Sequence, residues 1–155
     1  MPHYGFKRPS ADYFNSDLVL NLFVISDVTR TKNNVFLYDE RGQGKGADAL
    51  CSLRMRYHLR QIAEYNQQGI EPQLYMSLLD NCVGQNKSQV VMLFMCLLSV
   101  IFYKVVGLMY FLPGHSHMIP DRVVGNCKRA IAGLNLYSPC QIAKIFSQVC
   151  NVVAE

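Results

Sequence analysis

Leu74-Tyr75-Met76-Ser77-Leu78-Leu79-Asp80 reads as a strand that closes on an acid, and Asn81-Cys82-Val83-Gly84-Gln85-Asn86-Lys87 then turns into a long apolar segment. The carboxyl end of a strand in an open α/β sheet is where ligands and catalytic groups collect. Rigid backbone would hold Asp80 there while its carboxylate faces solvent. Asp80-Asn81 would equally serve as the cap of the following helix. The surroundings favour function. Asp27 ends an earlier apolar run, and His115, His117 and Asp121 follow a later one.

The chain has 155 residues, half of them apolar and 17% charged, so it has the composition of a globular domain able to bury one core. Its net charge of +4 permits a polyanionic partner without demanding one. Nine of the fifteen lysines and arginines fall within residues 1–60. The six cysteines, at 51, 82, 96, 127, 140 and 150, contain no C-x-x-C pair and fit neither a zinc module nor a small disulfide scaffold. Reduced thiols and an intracellular location are expected. The first twenty residues lack a long apolar core, so no secretory leader is expected.

Outward from the central strand, residues 1–17 read as an arm or a truncated upstream element, and 18–155 as the domain. Leu18 to Val28 is apolar and β-branched, a buried strand ending at Asp27. Thr29 to Asn34 is turn material and Val35-Phe36-Leu37-Tyr38 a second strand, so the two form an antiparallel hairpin. Gly42, Gly44 and Gly46 stand at alternate positions, but without a P-loop ending or a dinucleotide-turn spacing. They read as a linker. From Ala47 to about Asn66, apolar Cys51, Met55, Leu59 and Ile62 alternate with Arg54, Arg56, Arg60 and Glu64, which predicts an amphipathic helix with a basic outer face.

Val90 to Tyr103 is apolar except for Ser99, and apolar character resumes at Val105 after Lys104. As one helix, the uninterrupted part would span about 21 Å against roughly 30 Å of hydrocarbon. Lys104 in lipid would cost on the order of 3 kcal/mol. A membrane segment at 90–112 is therefore the lesser reading. A buried helix over about 86–102, joined at Lys104 to a strand over about 105–111, is expected. Pro120 suits the first turn of a further helix with Gly133 as its stop. Ser138, Pro139 and Gln141 signal a last helix, with Ile142, Ile145, Phe146, Val149 and Val153 along one face.

A right-handed crossover from one strand to a parallel neighbour would lay strand 74–80, interior to the sheet, beside strand 18–27. That arrangement would bring Asp27 and Asp80 together. Three carboxylates from two strands and a helix form a hard-oxygen site suited to two Mg²⁺ ions. The motif D-N-C-V-G-Q-N-K at 80–87, together with P-G-H-S-H-M-I-P-D-R at 113–122, resembles an uncharacterised domain family of eukaryotic transposon-derived proteins. That family in turn resembles the RNase H-like transposase and integrase superfamily. N-L-F-V-I-S-D at 21–27 and F-L-Y-D-E-R-G-Q-G-K-G at 36–46 are similar to its first hairpin and linker.

The resemblance implies an α/β, RNase H-like fold with a central mixed sheet of four to five strands flanked by helices. It also implies Asp27, Asp80 and Asp121 as catalytic and metal-holding acids, with Mg²⁺ or Mn²⁺ as cofactor. DNA would be the partner, in the nucleus, and phosphodiester cleavage or strand transfer the reaction. A catalytically silent binding domain is the alternative. Asn81, Gln85, Asn86 and Lys87, at the expected helix start beside Asp80, are suited to gripping phosphate oxygens. Arg122 is placed with them. His115 and His117 would assist phosphate or metal-bound water, or with Asp121 bind Zn²⁺ or Fe²⁺ themselves, or simply hold the loop.

Overall fold

A computed structural model of the chain describes every residue except 1, 13, 14, 16, 17, 43 and 113–117. It comprises two compact units, Met1–Gly44 together with Met118–Glu155, and Lys45–His117. The boundary at residue 44 falls in the glycine-rich linker.

The first unit begins with the expected hairpin. Strand β1 (Leu20–Asp27) pairs antiparallel with β2 (Lys32–Asp39), from Leu20 opposite Asp39 to Asp27 opposite Lys32. The hydrogen-bonded strand β2 thus starts earlier than the apolar run that signals it. The chain reverses through a tight turn in which Thr31 takes φ 54°. Helix α3 (Ile119–Ile131) carries Pro120 in its first turn, and Gly133 at φ 78° ends the segment in a left-handed conformation that glycine accepts without a Cβ penalty. Helix α4 (Pro139–Phe146) is capped as its sequence predicts: Ser138 accepts from the Cys140 N–H at 3.3 Å, and Gln141 accepts from the Ser138 N–H at 3.2 Å.

The C-terminal segment departs from expectation. The helix stops at Phe146, and Asn151 at φ 58° turns the chain into a short strand β5 (Val152–Ala154), parallel to β2. Val153 is therefore a strand residue, while Val149 still packs against the core. That core gathers Val35, Val123, Cys127, Leu136, Ile142, Phe146 and Val152. Each fully buried side chain of this size contributes about 1.5–3 kcal/mol. At the N-terminus His3 exchanges two backbone hydrogen bonds with Leu136, at 2.7 and 2.8 Å.

The second unit runs α1 (Ala47–Gln67), β3 (Leu74–Leu79), α2 (Gln89–Ile101) and β4 (Val105–Tyr110). Strands β3 and β4 are parallel, in register from Leu74 opposite Val105 to Leu79 opposite Tyr110, with α2 as the crossover a parallel pair requires. Val91 and Leu98 of α2 are wholly buried among Cys51, Leu79, Phe94, Met95 and Tyr103. The helix-to-strand break falls where expected. The Phe102 and Tyr103 N–H groups both return to the Leu98 carbonyl, and the exposed Lys104 ammonium lies 4.0 Å from Glu71. Among the described residues no helix is long and apolar enough to cross a membrane.

The expected single sheet is corrected. The five described strands form a three-stranded sheet, ordered β1-β2-β5, and a two-stranded sheet, β3-β4. The ladder of β3 runs to β4, so β3 is an edge strand where an interior one was expected. The apolar character of both its faces invited the expectation, but only Ser77 and Leu79 are buried, whereas Leu74, Met76 and Leu78 are exposed. Residue type along a strand reports what it tolerates, and the partner strand is chosen by the rest of the chain. All six cysteines are free thiols.

Candidate functional site

Asp80 leaves β3 directly after Leu79 and is exposed. One carboxylate oxygen accepts the Asn81 N–H at 2.7 Å; the other makes no hydrogen bond among the described residues. The chain then turns so that the Asn86 and Lys87 N–H groups both reach the Cys82 carbonyl, at 2.8 and 3.2 Å. Helix α2 starts later than expected, at Gln89, with Ser88 as its cap accepting the Val91 N–H at 3.4 Å. Asp80 and Asn81 therefore do not cap it, and Asn81, Gln85, Asn86 and Lys87 lie in the loop and not on the helix terminus.

The loop is pinned by its own side chains. Asn86 Oδ1 accepts from Arg54 of α1 at 3.0 Å, and Asn86 Nδ2 donates to the Asp80 carbonyl at 3.1 Å. The hydroxyl of Tyr110, at the end of β4, donates to the Asn86 carbonyl at 2.9 Å. Gln85 Nε2 donates to the Lys45 carbonyl at 3.2 Å. The Asn86 amide is thus engaged by protein partners at both its oxygen and its nitrogen, and Gln85 Nε2 by a backbone carbonyl. Lys87 is exposed, its ammonium 5.1 Å from the centre of the Tyr110 ring, a cation–π distance.

Arg54 corrects the basic-face reading of α1. It is buried, and with Cys51, His58 and Gln61 it forms a buried stripe at helical spacing, while Leu59 is half exposed. The inward face is turned from the expected one because it meets aromatic rings. His58 stands edge-on to Tyr75 at 4.6 Å and within 2.9 Å of the Tyr103 hydroxyl. Burial, and then the Arg54 charge, push the His58 pKa down to about 4. Burial also pushes the Cys51 thiol up, opposed by Arg54. The i, i+3, i+7, i+10 spacing of Cys51, Arg54, His58 and Gln61 was the available signal for this stripe.

The other two acids belong to the first unit. Asp27 is the last residue of β1; its carboxylate accepts the Arg30 N–H at 3.0 Å and lies 4.0 Å from the Arg30 guanidinium, closing the hairpin turn. Asp121 stands in the first turn of α3, and its carboxylate accepts the Met118 N–H at 2.9 Å. Arg122 beside it is exposed. Within either unit, no group of three or more His, Cys, Asp or Glu side chains able to hold a metal occurs among the described residues. His115 and His117 lie outside the described residues.

These features define a mixed α/β protein in which a pinned loop presents an acid at the carboxyl end of a strand. The chain belongs to a family designated a domain of unknown function, DUF7869, whose model matches residues 24–154. No curated protein and no solved structure matches it.

Proposed function

We propose that this chain is an RNase H-like domain of transposon origin that acts on DNA phosphodiester bonds in the nucleus, with Asp27, Asp80 and Asp121 holding a pair of Mg²⁺ or Mn²⁺ ions. What supports this above all is the placement of two acids at strand carboxyl ends: Asp27 terminates β1, and Asp80 follows β3 directly. The donor set fits hard cations, because carboxylate oxygens are the ligands such ions prefer. Asp80 and Asp121 each use one oxygen on a neighbouring N–H, leaving the other for a cation. Bound ions of this kind supply activation of water or a 3′-hydroxyl and stabilisation of the leaving oxygen. Exposed Lys87 and Arg122 would meet backbone phosphates, which position nucleic acid without reading its sequence. His115 and His117 would assist at the same phosphate.

A silent binding domain is the second reading, and one observation favours it. Asp27 closes a turn and Asp121 caps a helix, so both acids already have structural duties. Melting curves with Mg²⁺, Mn²⁺ or EDTA, together with nicking of labelled DNA, separate the two. An ion that binds only the folded protein stabilises it by about 1.4 kcal/mol at ten times its Kd. Metal should raise the melting temperature of the wild type but not of Asp80→Asn, and only the wild type should nick DNA. Equal responses from both proteins would favour the silent domain.

A further inference from the structure

We propose that Asn86 is a positioning residue for Asp80, a clamp through which α1 and β4 set where the Asp80 carboxylate stands. The inference rests on the metal-site reading of Asp80. Every hydrogen-bonding group of Asn86 is used inside the protein. Its N–H donates to Cys82, its carbonyl accepts from Tyr110, Oδ1 accepts from Arg54, and Nδ2 donates to the Asp80 carbonyl.

The orientation of the amide is dictated by these partners. A guanidinium only donates and a peptide carbonyl only accepts, so Oδ1 must face Arg54 and Nδ2 must face Asp80. Arg54 is a buried anchor: it is 5% exposed and sits on a helix whose neighbouring inward residue, His58, is packed among rings. The bond from Asn86 reaches the carbonyl of Asp80 itself. It fixes the peptide that follows the acid, whose N–H is the group holding one carboxylate oxygen at 2.7 Å. Rotation of that peptide would carry away the N–H that anchors the carboxylate. Groups that orient a metal ligand without touching the metal govern affinity, and their loss typically costs about 10–100-fold.

The test uses the full chain with Mn²⁺ as the probe, in wild type, Asn86→Ala, Tyr110→Phe and Asp80→Asn. Mn²⁺ affinity is read by electron paramagnetic resonance, alongside melting temperature and amide hydrogen exchange over residues 80–88. Asn86→Ala should weaken Mn²⁺ binding by about 10–100-fold and speed exchange in the loop. Tyr110→Phe, which removes one hydroxyl and keeps the ring beneath Lys87, should shift both readouts in the same direction by less. If Asn86→Ala does not fold, Tyr110→Phe decides. A lower melting temperature with unchanged Mn²⁺ affinity would overturn the positioning role and leave the metal site standing. A wild type that binds no Mn²⁺ would instead overturn the metal reading, and the positioning role with it.

Discussion

The imidazole Nδ1 of His58 and the hydroxyl of Tyr103 meet at 2.9 Å, with the histidine wholly buried although it lies on a helix that also carries Arg56 and Arg60. The groups around the ring are Tyr57 and Arg54 of α1, Tyr75 of β3, Phe94 of α2 and Tyr103. The charged group that acts on it, Arg54, repels a second positive charge.

An acid sensitivity of the Lys45–His117 unit follows. The folded pKa of His58 is about 4, below its ordinary value of 6.5, so the unfolded chain binds the proton more readily. The stabilisation from a neutral His58 is complete above about pH 6.5 and is lost as pH falls toward 4, with a slope of up to about 1.4 kcal/mol per pH unit. Urea unfolding between pH 7 and pH 4.5 should show this loss. His58→Gln keeps a partner for Tyr103 without titrating and should flatten the dependence; parallel slopes in the two proteins would refute the assignment.

Gly5 should not tolerate a side chain. A Cβ there would stand 2.1 Å from the Gly133 carbonyl carbon and 2.4 Å from the Leu134 nitrogen, both backbone atoms that cannot swing aside. Gly5→Ala should break the adjoining His3–Leu136 bridge and lower stability by about 1–3 kcal/mol, the usual range for overpacking. Limited proteolysis should then release the first residues faster than in wild type. An unchanged cleavage rate would show that the bridge does not hold the N-terminus.

Helix α4 offers a graded test of its cap. Ser138→Ala should cost about 1 kcal/mol in chemical denaturation, and Ser138→Gly only a few tenths. Gln141→Ala should add its own loss, because the Gln141 carbonyl oxygen accepts from both the Tyr137 and Ser138 N–H groups, at 2.9 and 3.2 Å. Equal costs for the Ala and Gly variants would locate the effect outside the cap.

What was legible beforehand was whatever short-range chemistry controls. The hairpin, the long helix from Ala47, the strand at 74–79, the break at Lys104 and the cap at Ser138 are all present, their ends shifted by a few residues. Three features were not legible. Strand β5 has three residues and exists through pairing with Asn33, Asn34 and Val35, more than a hundred positions away. The inward face of α1 was misread because Arg54, His58 and Gln61 look like surface residues until the rings of Tyr75 and Tyr103 and the amide of Asn86 give them partners. The start of α2, expected at about residue 86, falls at Gln89 with Ser88 as its cap, because several competent cap residues lie within one short stretch.

The candidate site divides along the same line. Local sequence was enough to set Asp27 at the end of one strand, Asp80 at the end of another and Asp121 in the first turn of a helix, since strand endings and helix starts are written in neighbouring residues. Tertiary structure alone decided that Asn86 faces inward to Arg54 and the Asp80 backbone, and that β3 pairs with β4. The physical reason is range: caps and turns are satisfied within about four residues, whereas a buried amide or a strand edge finds its partner only when distant segments meet.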